Sequence, residues 1–238
     1  MRREFVIFDV ASDLAHFRRQ YAITTALTYP VPPRTALCGL VGAVLGLPKN
    51  ESLAHFQDSE AVFGLQILSP LRTGYVSINL VDTKQNPSFR LKAVNPRTTV
   101  RYEVLRQPRY RVMFSHPTLA RQLAESLKHG ESCYTPCLGL AWMIAWFGDG
   151  VQIVEAEEVS GDKNHREFVS LVRSDDVQDE IHWNADGVYQ RVRLPAVMQP
   201  NREVTRYEAY VMDTTGRSIA ASLRAYWRLA DGTCISAL

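Results

Sequence analysis

A segment in the middle of the chain combines cationic side chains with aromatic rings. Residues 84–111 contain one acid, Glu103, and eight basic residues, which are Lys84, Arg90, Lys92, Arg97, Arg101, Arg106, Arg109 and Arg111. Phe89, Tyr102 and Tyr110 are interspersed among them. Proteins bind single-stranded nucleic acid with this combination, because cations follow the phosphates and rings stack on the bases. The composition predicts such binding, and a solvated hairpin with an ordinary basic surface is the alternative.

A second basic and aromatic cluster lies near the N-terminus. It contains His16, Phe17, Arg18, Arg19 and Tyr21, and it leads to Tyr29, Arg34 and Thr35. Pro32 and Pro33 suit the entry and first turn of a helix that starts at about Arg34. Free N–H groups and the positive end of the helix dipole favour a phosphate there. Alternatively, Phe17 and Tyr29 are core aromatics.

The titratable side chains form no recognisable catalytic motif. General acid–base cleavage of RNA needs two groups on opposite sides of the scissile phosphate. His16 with Tyr21 or Tyr29 is the pair that the sequence can nominate. Asp9 and Asp13 lack the further carboxylates of a metal nuclease, and no P-loop, dinucleotide fingerprint or nucleophile elbow is present. We therefore expect a binding protein without a catalytic site or cofactor.

The cysteines indicate neither a disulfide framework nor a complete zinc site. The four are Cys38, Cys133, Cys137 and Cys234, too few and too scattered for a framework. Cys133 and Cys137, with His129 before them, would make half of a zinc site, but no second ligand pair follows. We expect small buried thiols in a reducing cytosol and no metal.

Composition and hydropathy limit the class of protein. The chain has 238 residues, 46% of them apolar, and a net charge of +2, which suits one domain or one domain with an extension. The longest apolar runs, residues 36–47 and 138–147, are shorter than the roughly 18 residues that a membrane span needs. The first ten residues lead into a strand pattern without a signal-peptide cleavage site. We expect a cytoplasmic protein with no membrane contact.

The hydrophobic pattern predicts an order of elements. Residues 4–10, 61–68, 75–81 and 151–159 are predicted strands, and residues 34–47 a helix. A second helix, capped by Ser115 or His116, carries Leu119, Leu123 and Leu127 on one face and ends at Gly130. This βαββαβ order predicts an α+β fold of the ferredoxin-like or RRM-like kind.

The region after residue 160 is predicted to be rich in strands. Strand-like runs cover residues 167–172, 188–194, 206–213 and 223–229. We therefore divide the chain into a domain at 1–160 and a β-rich extension at 161–238 that packs on it. The first domain includes an insertion at about residues 83–113, longer than a ferredoxin-like connection requires. Residues 149–186 are acidic, with eleven acids against Lys163, Arg166 and Arg173.

Three glycines recur within the first predicted helix. Gly39, Gly42 and Gly46 are three and four residues apart. Each costs roughly 1 kcal/mol relative to alanine inside a helix. We therefore expect them to permit close approach, with the helix lying flat on a sheet.

A series of short motifs runs through roughly the first 150 residues. They are Phe8-Asp9, Ala15-His16-Phe17-Arg18, Leu27-Thr28-Tyr29, Pro32-Pro33-Arg34-Thr35, the GLVGAVLGL run at 39–47, Tyr102-Glu103-Val104-Leu105, Pro108-Arg109-Tyr110-Arg111 and Tyr134-Thr135-Pro136-Cys137-Leu138-Gly139-Leu140. In this order they resemble a CRISPR-associated family of the RAMP superfamily, the Cas "five" subunit of Cascade complexes. The resemblance is greatest to its type I-B, or Hmari-like, branch.

The resemblance implies that the insertion is a thumb-like β-hairpin that inserts into the 5′ handle of the crRNA. The N-terminal cluster would lie beside the same handle. The resemblance and the charge pattern together imply a set of RNA-binding residues. They are Arg18, Arg19, Tyr29, Arg34, Thr35, Lys92, Arg97, Arg101, Arg106, Arg109, Tyr110 and Arg111. The protein would cap the backbone filament and dock the Cas "seven" backbone subunit and the large subunit, with target DNA bound within the complex.

Two alternatives stay open. Type I-C relatives cut the CRISPR precursor, which makes a metal-independent pre-crRNA endoribonuclease the enzymatic alternative. A stand-alone RNA-binding module is the other. It fits less well with the apolar cluster of Trp142, Met143, Trp146 and Phe147, whose size suggests contact with a protein partner.

Overall fold

The computed structural model describes residues 1–20, 25–48, 55–56, 60–81, 97–169 and 171–238. Its α-helices are α1 (Arg34–Leu45) and α2 (Leu119–Lys128), and a 3-10 turn spans Ser174–Asp176. In chain order its strands are β1 (Arg2–Ala11), β2 (Leu14–Ala15), β3 (Phe17–Arg18), β4 (Thr28–Tyr29), β5 (Val62–Ile67), β6 (Thr73–Val81), β7 (Arg97–Arg106), β8 (Arg109–Ser115), β9 (Trp146–Phe147), β10 (Gln152–Ser160), β11 (Arg166–Phe168), β12 (Leu171–Arg173), β13 (Tyr189–Met198), β14 (Val204–Asp213), β15 (Ile219–Ala221), β16 (Ala225–Leu229) and β17 (Cys234–Ile235). The described chain is mainly β-sheet, with two α-helices.

β1 lies at the middle of the largest sheet. It pairs antiparallel with β10 on one side and with β8 on the other, and β8 pairs antiparallel with β5. On one face of β1, Phe8 shares a core with residues of α1 and α2. On the other face, Phe5 packs 5.4 Å from Trp227, measured between ring centres. Both faces are covered, which explains the continuous apolar run that predicted this strand.

One strand pairing differs from the prediction. The sequence pattern assigns residues 75–81 to the third strand of the βαββαβ order, but β6 pairs with β7 and not with β5. β8 takes that place between β1 and β5. Val112 and Phe114 of β8 are fully buried, whereas β6 alternates between exposed and half-buried positions. The assignment was wrong because an alternating pattern identifies a strand and not its partner.

Gly39 and Gly46, two of the three glycines in the predicted helix, differ in their surroundings. Gly39 is exposed, and a Cβ added there would meet no atom within 4 Å. Gly46 follows the helix with φ of 71° and donates its N–H to the carbonyl of Gly42. A Cβ at Gly46 would lie 2.7 Å from the sulfur of Cys133. Gly46 is thus a left-handed C-terminal cap, and close packing does not explain Gly39.

α2 begins two residues later than predicted, with Thr118 at the N-cap position and no side-chain cap on that residue, but the side chain of His116 accepts N–H groups at the helix start. The ring Nδ1 of His116 accepts the backbone N–H groups of Thr118 and Leu119 at 3.2 and 3.1 Å. Since Nδ1 accepts, Nε2 carries the proton and donates to the carbonyl of His55 at 3.0 Å. The predicted apolar face is buried, and Gly130 adopts φ of 68° after the helix.

The C-terminal region adds strands in two places. β11, β15, β16 and β17 extend the largest sheet beyond β10, and β12, β14 and β13 form a separate sheet. Each of the four predicted strand runs overlaps an observed strand. Leu194 of β13 and Tyr210 of β14 belong to the same core as β1 and α1. The separate sheet therefore packs on the face of the molecule that carries α1.

Candidate nucleic-acid interface

The hairpin of β6 and β7 is anchored at one end and exposed along the rest. Val104 and Leu105, close to the end of β7 that joins the body, are buried. Arg97 and Arg101, further along the same strand, are exposed. The hairpin therefore presents cationic side chains to solvent from an apolar base.

An aromatic ring and a guanidinium group are paired on this hairpin. The guanidinium carbon of Arg101 lies 4.0 Å from the ring centre of Tyr75, and Tyr75 is 47% exposed. Bases of single-stranded nucleic acid stack on exposed rings and on guanidinium planes. Sequence reasoning missed Tyr75, because residues 75–81 were assigned to the central sheet. The signal that could have found it is its position opposite the basic strand β7.

The N-terminal cluster lies directly against this hairpin. Ala26 donates its N–H to the carbonyl of Arg101 at 3.0 Å and accepts the N–H of Glu103 at 2.9 Å. The N–H of Thr28 donates to a carboxylate oxygen of Glu103 at 2.9 Å. Glu103, the acid of the basic insertion, thus holds the two segments together. The structure brings the two sequence-predicted basic clusters side by side.

The predicted RNA-binding residues of the N-terminal cluster differ in how exposed they are to solvent. Arg18 is exposed on β3, which pairs with β4. Arg19 donates from Nε to the carbonyl of Thr28 at 2.7 Å, and its guanidinium carbon lies 5.6 Å from the ring centre of Tyr29. Tyr29 itself is buried, and Thr35 is half-buried in the first turn of α1. Arg18 and Arg19 are therefore the cations that this cluster can offer to a phosphate.

Arg34 is a structural residue of the interior. It is 5% exposed, and its guanidinium donates to the carbonyls of Phe56, Ala61 and Ala196 at 2.8, 3.2 and 3.5 Å. The group also lies over the ring of Phe63 at 5.8 Å. A buried guanidinium satisfied by carbonyls has no free face for a phosphate. The expectation that Arg34 contacts RNA is corrected on this ground, since the helix-start pattern does not reveal which side chain points inward.

Two further predicted residues are engaged within the protein. Tyr110 is fully buried, its hydroxyl donates to the carbonyl of Pro30 at 3.1 Å, and burial raises the pKa of its phenol. It therefore has no ring face for a base, and its assignment is corrected. Arg111 binds both carboxylate oxygens of Asp9, at 2.7 and 3.1 Å, and these hydrogen bonds raise its pKa. Its charge is already paired.

A cleft of about 520 Å³ lies at the base of the hairpin. Arg106 and Arg109, both predicted, line it and are exposed. Arg72 and Trp146 line it as well and were not predicted as site residues. Trp146 is 48% exposed, so its ring is accessible beside the three cations, and Asp9 and Asp13 line the cleft as well. Lys92, the remaining predicted residue, lies outside the described residues.

His16, the candidate base, is enclosed. It is 1% exposed, its Nδ1 lies 2.7 Å from the carbonyl oxygen of Glu103, and its ring packs edge-on to Tyr102 at 5.1 Å. Its Nε2 has no hydrogen-bond partner among the described atoms. Burial lowers the pKa of this imidazole. The ring is therefore neutral at physiological pH and shielded from a substrate in solution.

Comparisons with solved structures identify related folds. A "CRISPR RNA-guided surveillance complex" chain aligns with a TM-score of 0.55 at 13% identity, covering 96% of this chain and 92% of that chain. A "CRISPR protein from Archaeoglobus fulgidus" aligns with a TM-score of 0.52 at 12% identity, covering 98% and 97%. These likenesses concern the fold. A search of curated proteins found no match.

The sequence itself assigns the family. The family model described as "CRISPR-associated protein (Cas_Cas5)" matches residues 5–131, more than half of the chain. The matched segment includes most of β1, all of α1 and α2, and the described part of the hairpin. None of the helices in the described residues is long and apolar enough to cross a membrane. The chain belongs to the Cas5 family of CRISPR-associated proteins.

Proposed function

We propose that this chain is a non-catalytic subunit of a type I CRISPR Cascade complex that grips and caps the 5′ handle of the crRNA. The observation that carries the proposal is the exposed pair of Arg101 and Tyr75 on an anchored hairpin. Stacking on Tyr75 and neutralisation of phosphates by Arg97 and Arg101 would hold an unpaired strand. Arg106 and Arg109 would continue the cationic path at the hairpin base.

We also propose a specific fold for the domain and a specific branch of the family. The strand order β5, β8, β1, β10 with two intervening helices supports a ferredoxin-like RAMP domain, and the hairpin of β6 and β7 is its thumb. The type I-B assignment rests on the sequence motifs. We place the protein in the cytoplasm with the rest of the complex.

The proposed protein partners are the Cas "seven" backbone subunit and the large subunit, with target DNA bound in the assembled complex. Trp142, Ile144 and Trp146 are 49%, 51% and 48% exposed along the segment 142–146, which ends in the first residue of β9. Aromatic residues are enriched at protein interfaces, where they contribute much of the binding energy. This segment is a place where one of the two subunits would dock.

Co-purification from the native host tests the assignment. Mass spectrometry of proteins bound to the full-length chain should find the other Cascade subunits, and sequencing of the bound RNA should find crRNA with its 5′ handle. Isolation of the chain without crRNA or Cas subunits would contradict the proposal.

The enzymatic alternative is a metal-independent pre-crRNA endoribonuclease that uses His16. The enclosure of His16 supports the non-catalytic proposal, because a general base must reach the proton that it removes. Incubation of the protein with a CRISPR repeat hairpin should give no site-specific cut, with or without magnesium. A discrete product at the 5′ boundary of the handle that His16→Ala abolishes would favour the enzyme.

A further inference from the structure

We propose that a cleft between the N-terminal ribbon and the C-terminal sheet binds one nucleotide of single-stranded RNA, away from the hairpin. The cleft has a volume of about 440 Å³ and lies between the ribbon of β3 and β4 and the strands β13 and β14. The residues that carry the argument are Arg19, Gln20, Tyr29, Arg191, Arg193 and Tyr207. This inference rests on the proposed function, since it gives the RNA a second contact on the same chain.

The charge of the cleft suits a phosphate. Arg191 and Arg193 are two residues apart on β13, so they project from one face of the strand. Both are exposed, while Val192 and Leu194 face the core. With Arg19 on the opposite wall, three guanidinium groups line the cleft, and none of the described lining residues is acidic. Arginine donors bind phosphate oxygens strongly in such a setting.

Other arginines in the same sheet are neutralised. Arg173 and Arg206 each lie 3.0 Å from a carboxylate oxygen of the buried Glu208. That carboxylate, together with Asp176 at 3.9 Å from Arg173, supplies the negative charge beside these two arginines. On the cleft wall Arg191 and Arg193 have no acid beside them, and Asp179 and Glu180 line the separate pocket that Arg191 also borders.

Two arginine side chains of the cleft each lie near a tyrosine ring. The guanidinium carbon of Arg19 lies 5.6 Å from the ring centre of Tyr29, and that of Arg193 lies 5.7 Å from the ring centre of Tyr207. Tyr29 is buried and Tyr207 is half-buried. RNA bases stack on guanidinium planes and on exposed rings, so Arg19, Arg193 and the exposed part of Tyr207 are the surfaces that the cleft offers to a base.

A hydrogen bond joins the two walls of the cleft. The hydroxyl of Tyr207 donates to the side-chain oxygen of Gln20 at 2.5 Å. Because that oxygen accepts, the amide nitrogen of Gln20 keeps its two donors for an acceptor atom on a base edge. The cleft volume lies in the range of small-molecule sites, roughly 300–1,000 Å³. The cleft therefore has the size for one nucleotide and not for a duplex.

The test uses the full chain and a fluorescent single-stranded RNA with the repeat-derived handle sequence. The cleft variant combines Arg191→Gln with Arg193→Gln, and its control combines Lys128→Gln with Lys163→Gln, two exposed lysines outside the cleft. Both variants remove two charges. We expect the cleft variant to bind RNA at least about tenfold more weakly than the control, with the slope of log K against log salt reduced by about 1.4.

Two further measurements keep the outcomes distinct. In the wild-type protein, 4-thiouridine cross-linking should place RNA on the peptides that contain residues 190–193 or Tyr207, whether or not the cleft variant folds. The hairpin variant combines Arg97→Gln with Arg101→Gln. If only this variant loses affinity and no cross-link reaches the cleft, the cleft inference is overturned and the proposed function stands. If the hairpin and cleft variants both bind like the control, the cleft inference and the proposed function both fail.

Discussion

The guanidinium of Arg101 lies across the ring of Tyr75 from the adjoining strand of the hairpin, 4.0 Å from its centre. The register explains the contact: Tyr75 faces Glu103, so Arg101 is its diagonal neighbour two residues away on β7. Diagonal neighbours in an antiparallel pair are within reach of long side chains. The pair is thus formed before any ligand arrives, which limits the side-chain entropy lost on binding.

Tyr75 should contribute to RNA binding through its ring. Tyr75→Ala should weaken binding of single-stranded handle RNA by about 1–3 kcal/mol, the usual contribution of one base–aromatic stack. Tyr75→Phe keeps the ring and should bind nearly as well as the wild type. Fluorescence anisotropy titrations with the same RNA compare the two. An equal loss in both variants would mean that the hydroxyl, and not stacking, matters.

Arg34 should act on stability. Arg34→Met leaves three buried carbonyls without their donor, and we expect a loss of about 3 kcal/mol in the free energy of unfolding. The adjacent Thr35→Ala is the matched control and should change it by less than about 1 kcal/mol. Urea unfolding followed by tryptophan fluorescence measures both. Wild-type stability in Arg34→Met would refute the structural role.

The glycines of α1 should respond in opposite directions. Gly39→Ala adds a methyl group to open space in a helix and should stabilise the protein by up to about 1 kcal/mol. Gly46→Ala forces a side chain into the left-handed region and against Cys133, so it should destabilise by more than about 1 kcal/mol. Thermal melts of the two variants provide the comparison. Lower melting temperatures for both would restore a close-packing role for Gly39.

The two buried histidines should make stability depend on pH. Burial is the main cause that lowers the pKa of both His16 and His116 in the folded protein. In the unfolded chain both titrate at about 6.5, so there they bind protons at a higher pH than in the folded protein. The contribution of the two histidines to the free energy of unfolding is complete above about pH 6.5 and declines as the pH falls below that value.

His116→Asn separates the two histidines. The Oδ1 atom of asparagine is two bonds from Cβ, as is Nδ1 of histidine, so it can accept the same two backbone N–H groups, but it does not titrate. Urea midpoints of the wild type should fall between about pH 7 and about pH 5, and the fall should be smaller in His116→Asn. A pH-independent midpoint in the wild type would contradict the neutral buried state of both rings.

The sequence predicted local elements better than their partners. The leucine face of α2 follows from local spacing and was confirmed. His116 accepts two N–H groups at the start of that helix, but the N-cap residue is Thr118, which the pattern did not identify. The pairing of β6 was missed, because strand partners depend on contacts distant in sequence that an alternating pattern does not encode.

In the candidate site, too, the sequence predicted local features and missed those that depend on tertiary contacts. Charge counting located the basic strand β7, but it could not separate exposed Arg101 from buried Arg34, since both follow ordinary local patterns. Tyr75, Arg191 and Arg193 join the site only through strand pairing or packing between distant parts of the chain. Side-chain burial is a property of the tertiary fold, and periodicity predicted it only on the clearly amphipathic α2.

The salt dependence of RNA binding tests the central claim most directly. The variant reverses Arg97, Arg101, Arg106 and Arg109 to glutamate, leaving out Arg111 because Asp9 already pairs with it. Each phosphate neutralised on a single strand contributes about −0.7 to the slope of log K against log salt. We predict weaker handle binding and a slope flatter by about 2–3 units than that of the wild type. A folded variant with unchanged affinity and slope would contradict the hairpin interface.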